Sequence, residues 1–474
     1  MLDISDFKSA EPPIRFFEEI SKIPRGSGNT GAVADYLEAF AKGRRLFCMR
    51  DEHNNVIIRK PATVGREDRP GIIFQGHTDI VAEKTKNVNI DMQKERLSLF
   101  RDGDFLRANG TTLGADDGIA VAYALAVLDS DSIEHPEFEA IFTSDEEIGL
   151  IGASGLDATN IKGRMLINID SDDEGIFTAG CAGGVRTDIT LPIRRALFCG
   201  KTYRLSLSGL TGGHSGIEID KGRGNAIKKL AEMLYSIPRL RLVSLCGGNA
   251  DNAIPRDAEA VFMLTSPITD FELSSINKII NSLKRIEPAA EYSLCEIKAK
   301  DIPLDGISSA KAVSLIMREP SGVISMSRDI EGLVETSLNI GIARLDKSAL
   351  SLSFSIRSSV NRGKLEVCER VRQIAEGHGA RVTYQADYPA WEYRKDSYLR
   401  NIMCEVYEDM YGKAPKVVTI HAGLECGILT DKIPGLDCIS IGPDNFDIHT
   451  PNEHLSLSSA TRVWEYLIEV LRRI

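Results

Sequence analysis

"GIIFQGHTD", residues 71–79, is an apolar run that stops at a glycine and delivers a histidine and an aspartate two positions apart. In extended backbone, positions i and i+2 face the same way, so His77 and Asp79 share a side. Other runs break off in the same manner. EFEAIFT (137–143) leads to the three adjacent carboxylates Asp145, Glu146 and Glu147, and RMLINI (164–169) leads to Asp170. KVVTI (416–420) leads to His421, and LDCISIG (436–442) runs towards FDIHTPNEH, which contains His449 and His454. Short β-like runs alternating with helical stretches such as 117–129 predict an α/β fold with a central, mostly parallel twisted sheet flanked by helices.

From about 185 to 389 the pattern changes. Alternating strands (TYRLSLSG, AEAVFML, ALSLSFSIRS) interleave with helical patterns (GNAIKKLAEMLYSI, KLEVCERVRQIAEG), an α+β character inserted between two parts of one sheet. A faint internal repeat relates NAIPRDAEAVFML (252–264) to NIGIARLDKSALSLSFSIR (339–357).

Composition narrows the classes. A chain of 474 residues suggests more than one domain, and a net charge of −11 argues against a nucleic-acid surface or an anionic membrane as partner. IAVAYALAVL (119–128) is too short to span a bilayer, and MLDISDFKSAEPP lacks the basic and apolar regions of a signal peptide. Nine cysteines, an odd number with no CxxC pair, fit a reducing compartment, so the expected location is cytoplasmic.

Crowded carboxylates at the end of a buried strand resist shared ionisation unless a cation, or a proton held for catalysis, relieves them. The chain supplies partners for a cation. Besides His77, TLGADDGIAVAYALAVL (112–128) brackets Asp116 and Asp117 with glycines ahead of an apolar helix. One Asp could cap that helix; a second is not needed for capping and would suit a bridge between two ions. Ligands collect at the carboxyl edge of strands in open α/β sheets. Two imidazoles with three or four carboxylates, and no thiolate required, suit two borderline or hard divalent ions about 3.5–4 Å apart. Glu146 and Glu147 cannot both point the same way, so one is expected to coordinate and the other to take a proton.

GHTD, GADDG, DEEIGLIGA, NIDS and HTPNE, in this order, resemble the co-catalytic zinc peptidases that include aminoacylases and glutamate-releasing carboxypeptidases. IPRGSGN, NIDSDDEG with GCAGG, LSGLTGGHSG, GGNADNAIP and HAGLECG bring the resemblance closer to aminoacyl-histidine (Xaa-His, carnosine-cleaving) dipeptidases. The resemblance implies that His77 and Asp170 bind one metal, Glu147 and His449 the other, and Asp116 both, with a cis peptide after Asp116. Asp79 would orient His77, and Glu146 would be the general base acting on a water between the metals. It implies two divalent ions, zinc first, with manganese or cobalt as alternatives, and a small dipeptide substrate. It further implies a catalytic domain of 1–184 and 390–474 interrupted by a lid of 185–389, as a monomer or homodimer. In the lid, His214 would polarise the scissile carbonyl or stabilise the oxyanion across the cleft, while Asn252 and Arg357 are candidates for holding the substrate carboxylate. His421 would line the side-chain pocket, and Asp173 or Glu174 could anchor the substrate amine. Asp117 departs from the pattern, where Asn is expected, which bears on metal preference. The alternatives are an N-acyl-amino-acid deacylase or tripeptidase on the same scaffold, or a catalytically silent binding protein.

Overall fold

A computed structural model describes residues 5–298 and 301–474; the first four residues of the N-terminal stretch read above lie outside the described residues. The chain divides into two compact units. One comprises Met1–Cys181, Tyr393–Thr419 and Leu424–Ile474, and the other Ala182–Glu392 with Ile420–Gly423.

The first unit is built on an eight-stranded sheet. Its order is Phe47–Arg50, Val56–Lys60, Phe138–Thr143, Ile72–His77, Met165–Asn168, Asp437–Ser440, Ile176–Cys181 and Lys416–Ile420. The four strands from Phe138–Thr143 to Asp437–Ser440 run parallel; Val56–Lys60 pairs antiparallel with Phe138–Thr143 and with Phe47–Arg50, and Ile176–Cys181 pairs antiparallel with Asp437–Ser440. The parallel strands are buried throughout, which is why they read as mainly apolar runs without a regular in-and-out alternation. Helix Ala115–Asp129 packs on strand Ile72–His77 and against helix Glu11–Ile20. It is buried from Asp117 to Leu128, and Tyr123 stacks on Trp464 at 5.7 Å between ring centroids. Helix Glu11–Ile20 starts three residues earlier than the apolar pattern at 14–23 suggests, because Pro12 and Pro13 occupy its first turn, where a missing N–H breaks no helical bond.

The second unit is a duplication. Strand Lys201–Ser208, helix Ala226–Tyr235, strands Arg241–Gly247 and Ala258–Leu264, helix Asp270–Leu283 and strand Glu291–Ile297 form one β-α-β-β-α-β set. Strand Gly183–Pro192, helix Gly306–Arg318, strands Val334–Leu345 and Ala349–Ser358, helix Asn361–Gly377 and strand Arg381–Tyr388 form another. In each set the strands lie in the order fourth, first, third, second, the split β-α-β arrangement. The sets join antiparallel where Cys246 and Gly247 pair with Arg344 and Ala343. The two third strands, Ala258–Leu264 and Ala349–Ser358, fall within the segments 252–264 and 339–357 related by the faint sequence repeat, although 339–357 also takes in part of the second strand Val334–Leu345. Strand Ala349–Ser358 alternates strictly between buried and half-buried positions, and the register sets Arg357 opposite Ser337 on the next strand.

Candidate active site

Three parallel neighbours end together at one edge of the first sheet. Strand Ile72–His77 delivers His77, Phe138–Thr143 is followed by Asp145–Glu147, and Met165–Asn168 is followed by Asp170. The Asp116 carboxylate lies between two imidazoles, with Oδ1 3.0 Å from His77 Nε2 and Oδ2 3.0 Å from His449 Nε2. Asp170 Oδ1 is 3.7 Å from the same His77 nitrogen, and Glu147 Oε1 is 2.8 Å from His449 Nε2. Ligand-type atoms of His77, Asp116 and Asp170 lie within 4.8 Å of one another, as do those of Asp116, Glu147 and His449 and those of His77, Glu146 and Glu147. The peptide between Asp116 and Asp117 is cis.

Two divalent ions fit this donor set, which is nitrogen and carboxylate oxygen without a thiolate. The buried Glu147 Oε1 makes no hydrogen bond despite its proximity to His449, an orientation suited to a cation. His454, the other histidine of the same segment, is placed elsewhere: its ring stacks on Phe446 and meets Phe105 edge-on.

Asp79 does more than face His77. His77 Nδ1 lies 3.1 Å from the Asp79 carbonyl oxygen and 3.4 Å from Oδ1, while the carboxylate accepts the backbone N–H groups of Glu146 and Glu147 at 3.0 and 3.3 Å. It thus ties the His77 strand end to the acidic loop. Neither Asp of the pair caps helix Ala115–Asp129; instead Asp117 Oδ2 accepts the His77 backbone N–H at 3.2 Å.

The charges are interdependent. Burial works to raise the Asp116 carboxyl, but His449 and His77 outweigh it and hold it well below the usual carboxylate range. Asp116 and Glu147 push His449 up to about 10. For His77 burial opposes charging, yet Asp116, Asp170 and Asp79 raise it well above an ordinary imidazole. Burial pushes Asp170 up to about 6 and Glu146 up to about 9. A pocket that draws protons onto its imidazoles in this way is one that attracts cations.

Several residues with a part here lie inside motifs quoted above (Glu453 in HTPNE, Arg25 in IPRGSGN, Glu425 in HAGLECG), although those motifs do not reveal their roles. Glu453 accepts backbone N–H groups at the start of the Asp116 helix, and Arg25 donates to the Thr78 and Gly114 carbonyls from within the core. Glu425, fully buried, accepts from Gln75 and Thr143. Glu174, considered above as an amine anchor, is held bidentately by Arg462 at 2.8 and 2.6 Å, and its carboxylate is thereby engaged.

The second unit gathers its own polar cluster. His214 Nδ1 accepts the backbone N–H groups of Gly216 and Ile217 at 3.2 and 3.1 Å. The neutral ring therefore carries its proton on Nε2. Burial and Arg357 lower its pKa, which favours that neutral form at physiological pH. His214 pairs with Ala253, and the adjacent Asn252, an exposed residue, accepts the Ser215 N–H on its carbonyl at 2.8 Å. Arg357 donates to the Tyr388 hydroxyl at 3.1 Å. His421 Nε2 lies 2.7 Å from Ser337 Oγ, and burial, then Arg357, depress its pKa to about 4.

The chain as a whole is similar to known proteins. The chain is 35% identical to the cytosol non-specific dipeptidase of Escherichia coli (strain K12), over 98% of both chains. It superposes on aminoacylhistidine dipeptidase from Vibrio alginolyticus with a TM-score of 0.92 at 36% identity, covering 98% of this chain and 96% of that one. At 16% identity the fold extends to aminopeptidase PepT from Bacillus cereus, with a TM-score of 0.61 over 97% of each chain. Among the described residues no helix is long and apolar enough to cross a membrane. The model of peptidase family M20/M25/M40 matches residues 73–473, from the strand that carries His77 to the last helix, and the chain belongs to that family.

Proposed function

We propose that the chain is a dinuclear metallo-dipeptidase that cleaves Xaa-His and related dipeptides, with the first unit as catalytic domain and the second as lid. The observation that carries this reading is the Asp116 carboxylate, which turns one oxygen to each of two imidazoles at 3.0 Å. His77 and Asp170 would hold one ion, Glu147 and His449 the other, and Asp116 both. Zinc suits the mixed nitrogen and oxygen set best, with manganese or cobalt as alternatives. The ions supply Lewis acidity for the carbonyl and make water acidic enough to ionise near neutral pH.

The remaining steps belong to the chain. Glu146, on a loop fixed by Asp79, takes the proton of the attacking water and passes it to the leaving amine. His214 donates from Nε2 to the oxygen of the tetrahedral intermediate, since its Nδ1 is occupied by two backbone N–H groups. Arg357, oriented by Tyr388, forms a fork for the substrate carboxylate, and Asn252 supplies a further polar contact to it. His421, kept neutral and anchored by Ser337, lines the side-chain pocket. The cytosolic name of the E. coli relative and the nine free cysteines support a cytoplasmic location.

A substrate panel tests the reading. β-Ala-His, Ala-His and Leu-Gly should be hydrolysed, and N-acetyl-Ala-His and Ala-His-Ala should be poor substrates. Faster cleavage of the acetylated compound would favour the deacylase alternative, and no cleavage of any would favour a silent binding protein.

A further inference from the structure

We propose that Glu453 is a positioning residue for the metal centre: it fixes the backbone that presents Asp116 and ties it to the loop that carries His449. The inference rests on the metal-bridging reading of Asp116 and adds a residue that reading does not include.

A carboxylate shared by two ions about 3.5–4 Å apart has little positional tolerance. The helix that begins at Ala115 does not itself supply the precision. Asp116 and Asp117 have non-helical dihedrals (φ −81°, ψ 106° and φ −112°, ψ 34°), and the first N–H groups of a helix have no partner within it. The capping position is Gly114, with φ 70° and no side chain. A side chain there is excluded, because a Cβ would come within 2.8 Å of Ile80 and 3.0 Å of the Arg25 guanidinium.

Glu453 fills the role from far along the chain. Its Oε2 accepts the N–H groups of Leu113 and Gly114 at 2.8 and 2.9 Å, and its Oε1 those of Ala115 and Asp116 at 2.8 and 3.3 Å. The residue is 3% exposed, so water cannot stand in for it. Arg25 braces the other side, donating to the carbonyls of Thr78 at 2.9 Å and Gly114 at 2.6 Å. Gly114 is thus gripped at its N–H by a carboxylate and at its carbonyl by a guanidinium. Because Glu453 lies four residues after His449, the same contact holds one candidate ligand's loop against the bridging residue. An ordinary helix cap satisfies one or two donors; four backbone N–H groups ending at Asp116 exceed what capping requires.

Glutamine is the informative replacement. It keeps the size but offers one acceptor oxygen and one amide donor, so two backbone N–H groups would face an NH2. The test is a titration of metal-stripped protein with Mn(II), followed by calorimetry and electron paramagnetic resonance. Wild type, Glu453→Gln, Glu453→Ala and the control Leu125→Ala are compared, the control opening a cavity in the same helix at a fully buried site. Wild type should take two ions per chain and give the spectrum of a spin-coupled pair. Glu453→Gln should bind the second ion about 10–100-fold more weakly, as loss of a residue supporting a ligand does, and show uncoupled Mn(II). Leu125→Ala should keep the coupled pair despite its lower thermal midpoint. The proposal is overturned if Glu453→Gln binds two coupled ions with wild-type affinity, or if Leu125→Ala loses the coupling equally. Should Glu453→Ala fail to fold, Glu453→Gln decides. A wild type that binds no pair would overturn the bridging reading itself, and this inference with it.

Discussion

Replacing Glu146 by glutamine should remove most turnover while leaving the metal centre assembled. The substitution preserves volume and the backbone N–H that Asp79 accepts at 3.0 Å. A lost general base costs about 10²–10⁴ in rate, or roughly 3–5 kcal/mol at about 1.4 kcal/mol per tenfold. Where in that range the loss falls depends on whether another carboxylate can take over. Glu147 Oε1 is 2.8 Å from His449, and Asp170 Oδ1 is 3.7 Å from His77; both are committed as ligands in this account. Glu425 Oε2 is bonded to Gln75 at 2.6 Å and Thr143 at 2.7 Å, and the residue is fully buried. With no substitute in place, the loss should lie in the upper half, about 10³–10⁴ in kcat. The assay is saturating hydrolysis of an Xaa-His dipeptide, with metal per chain measured on the same sample. A kcat within about threefold of wild type, at unchanged metal content, would refute the assignment of the base.

Glu147→Ala should instead reduce metal content from about two ions per chain to about one, read by elemental analysis; an unchanged content with lost turnover would mean that the roles of the glutamate pair are exchanged. His214→Ala should lower kcat by about 10²–10³, as loss of an oxyanion donor does, with metal binding unaffected; loss of metal would make it a ligand. Glu319, fully buried with neither carboxylate oxygen hydrogen-bonded, has its carboxyl pushed by burial from an ordinary 4.5 up to about 8. The folded state then holds a proton that the unfolded state has released, so this contribution to stability is complete below pH 4.5 and is lost as pH rises through about 8. Glu319→Gln should abolish that decline, worth on the order of 5 kcal/mol, in denaturant midpoints measured from pH 4.5 to 8.5; parallel profiles for the two proteins would contradict it.

The parts of the site that could be read from the sequence are those where a strand ends. An apolar run followed by a ligand-type residue marks both the strand and its carboxyl edge, and this brings His77, the carboxylates of 145–147 and Asp170 to one edge; the choice of Glu147 as ligand and Glu146 as base needs the family resemblance. Asp116 was legible because two adjacent acids between glycines exceed what a helix start needs. The choice of His449 over His454 needed the family pattern; in the structure it follows from His454 being packed among aromatic rings. Glu453 and Arg25 sit inside the motifs HTPNE and IPRGSGN, but their roles there are not legible. Their partners are backbone groups, which leave no side-chain pattern, and in Glu453's case lie 337–340 positions away. Tyr388 and Ser337 escaped for a related reason, since they act by touching Arg357 and His421 through strand register and loop placement. The duplication in the second unit showed only faintly because packing constrains burial alternation, which many different residues satisfy.

The most direct test of the account is a stepwise addition of Zn(II) to chelator-stripped protein, following β-Ala-His hydrolysis and bound metal in the same titration. Binding should saturate at two ions per chain, and activity should reach its maximum only as the second site fills. Full activity with a single ion bound, or saturation at one ion, would contradict a centre in which Asp116 joins two.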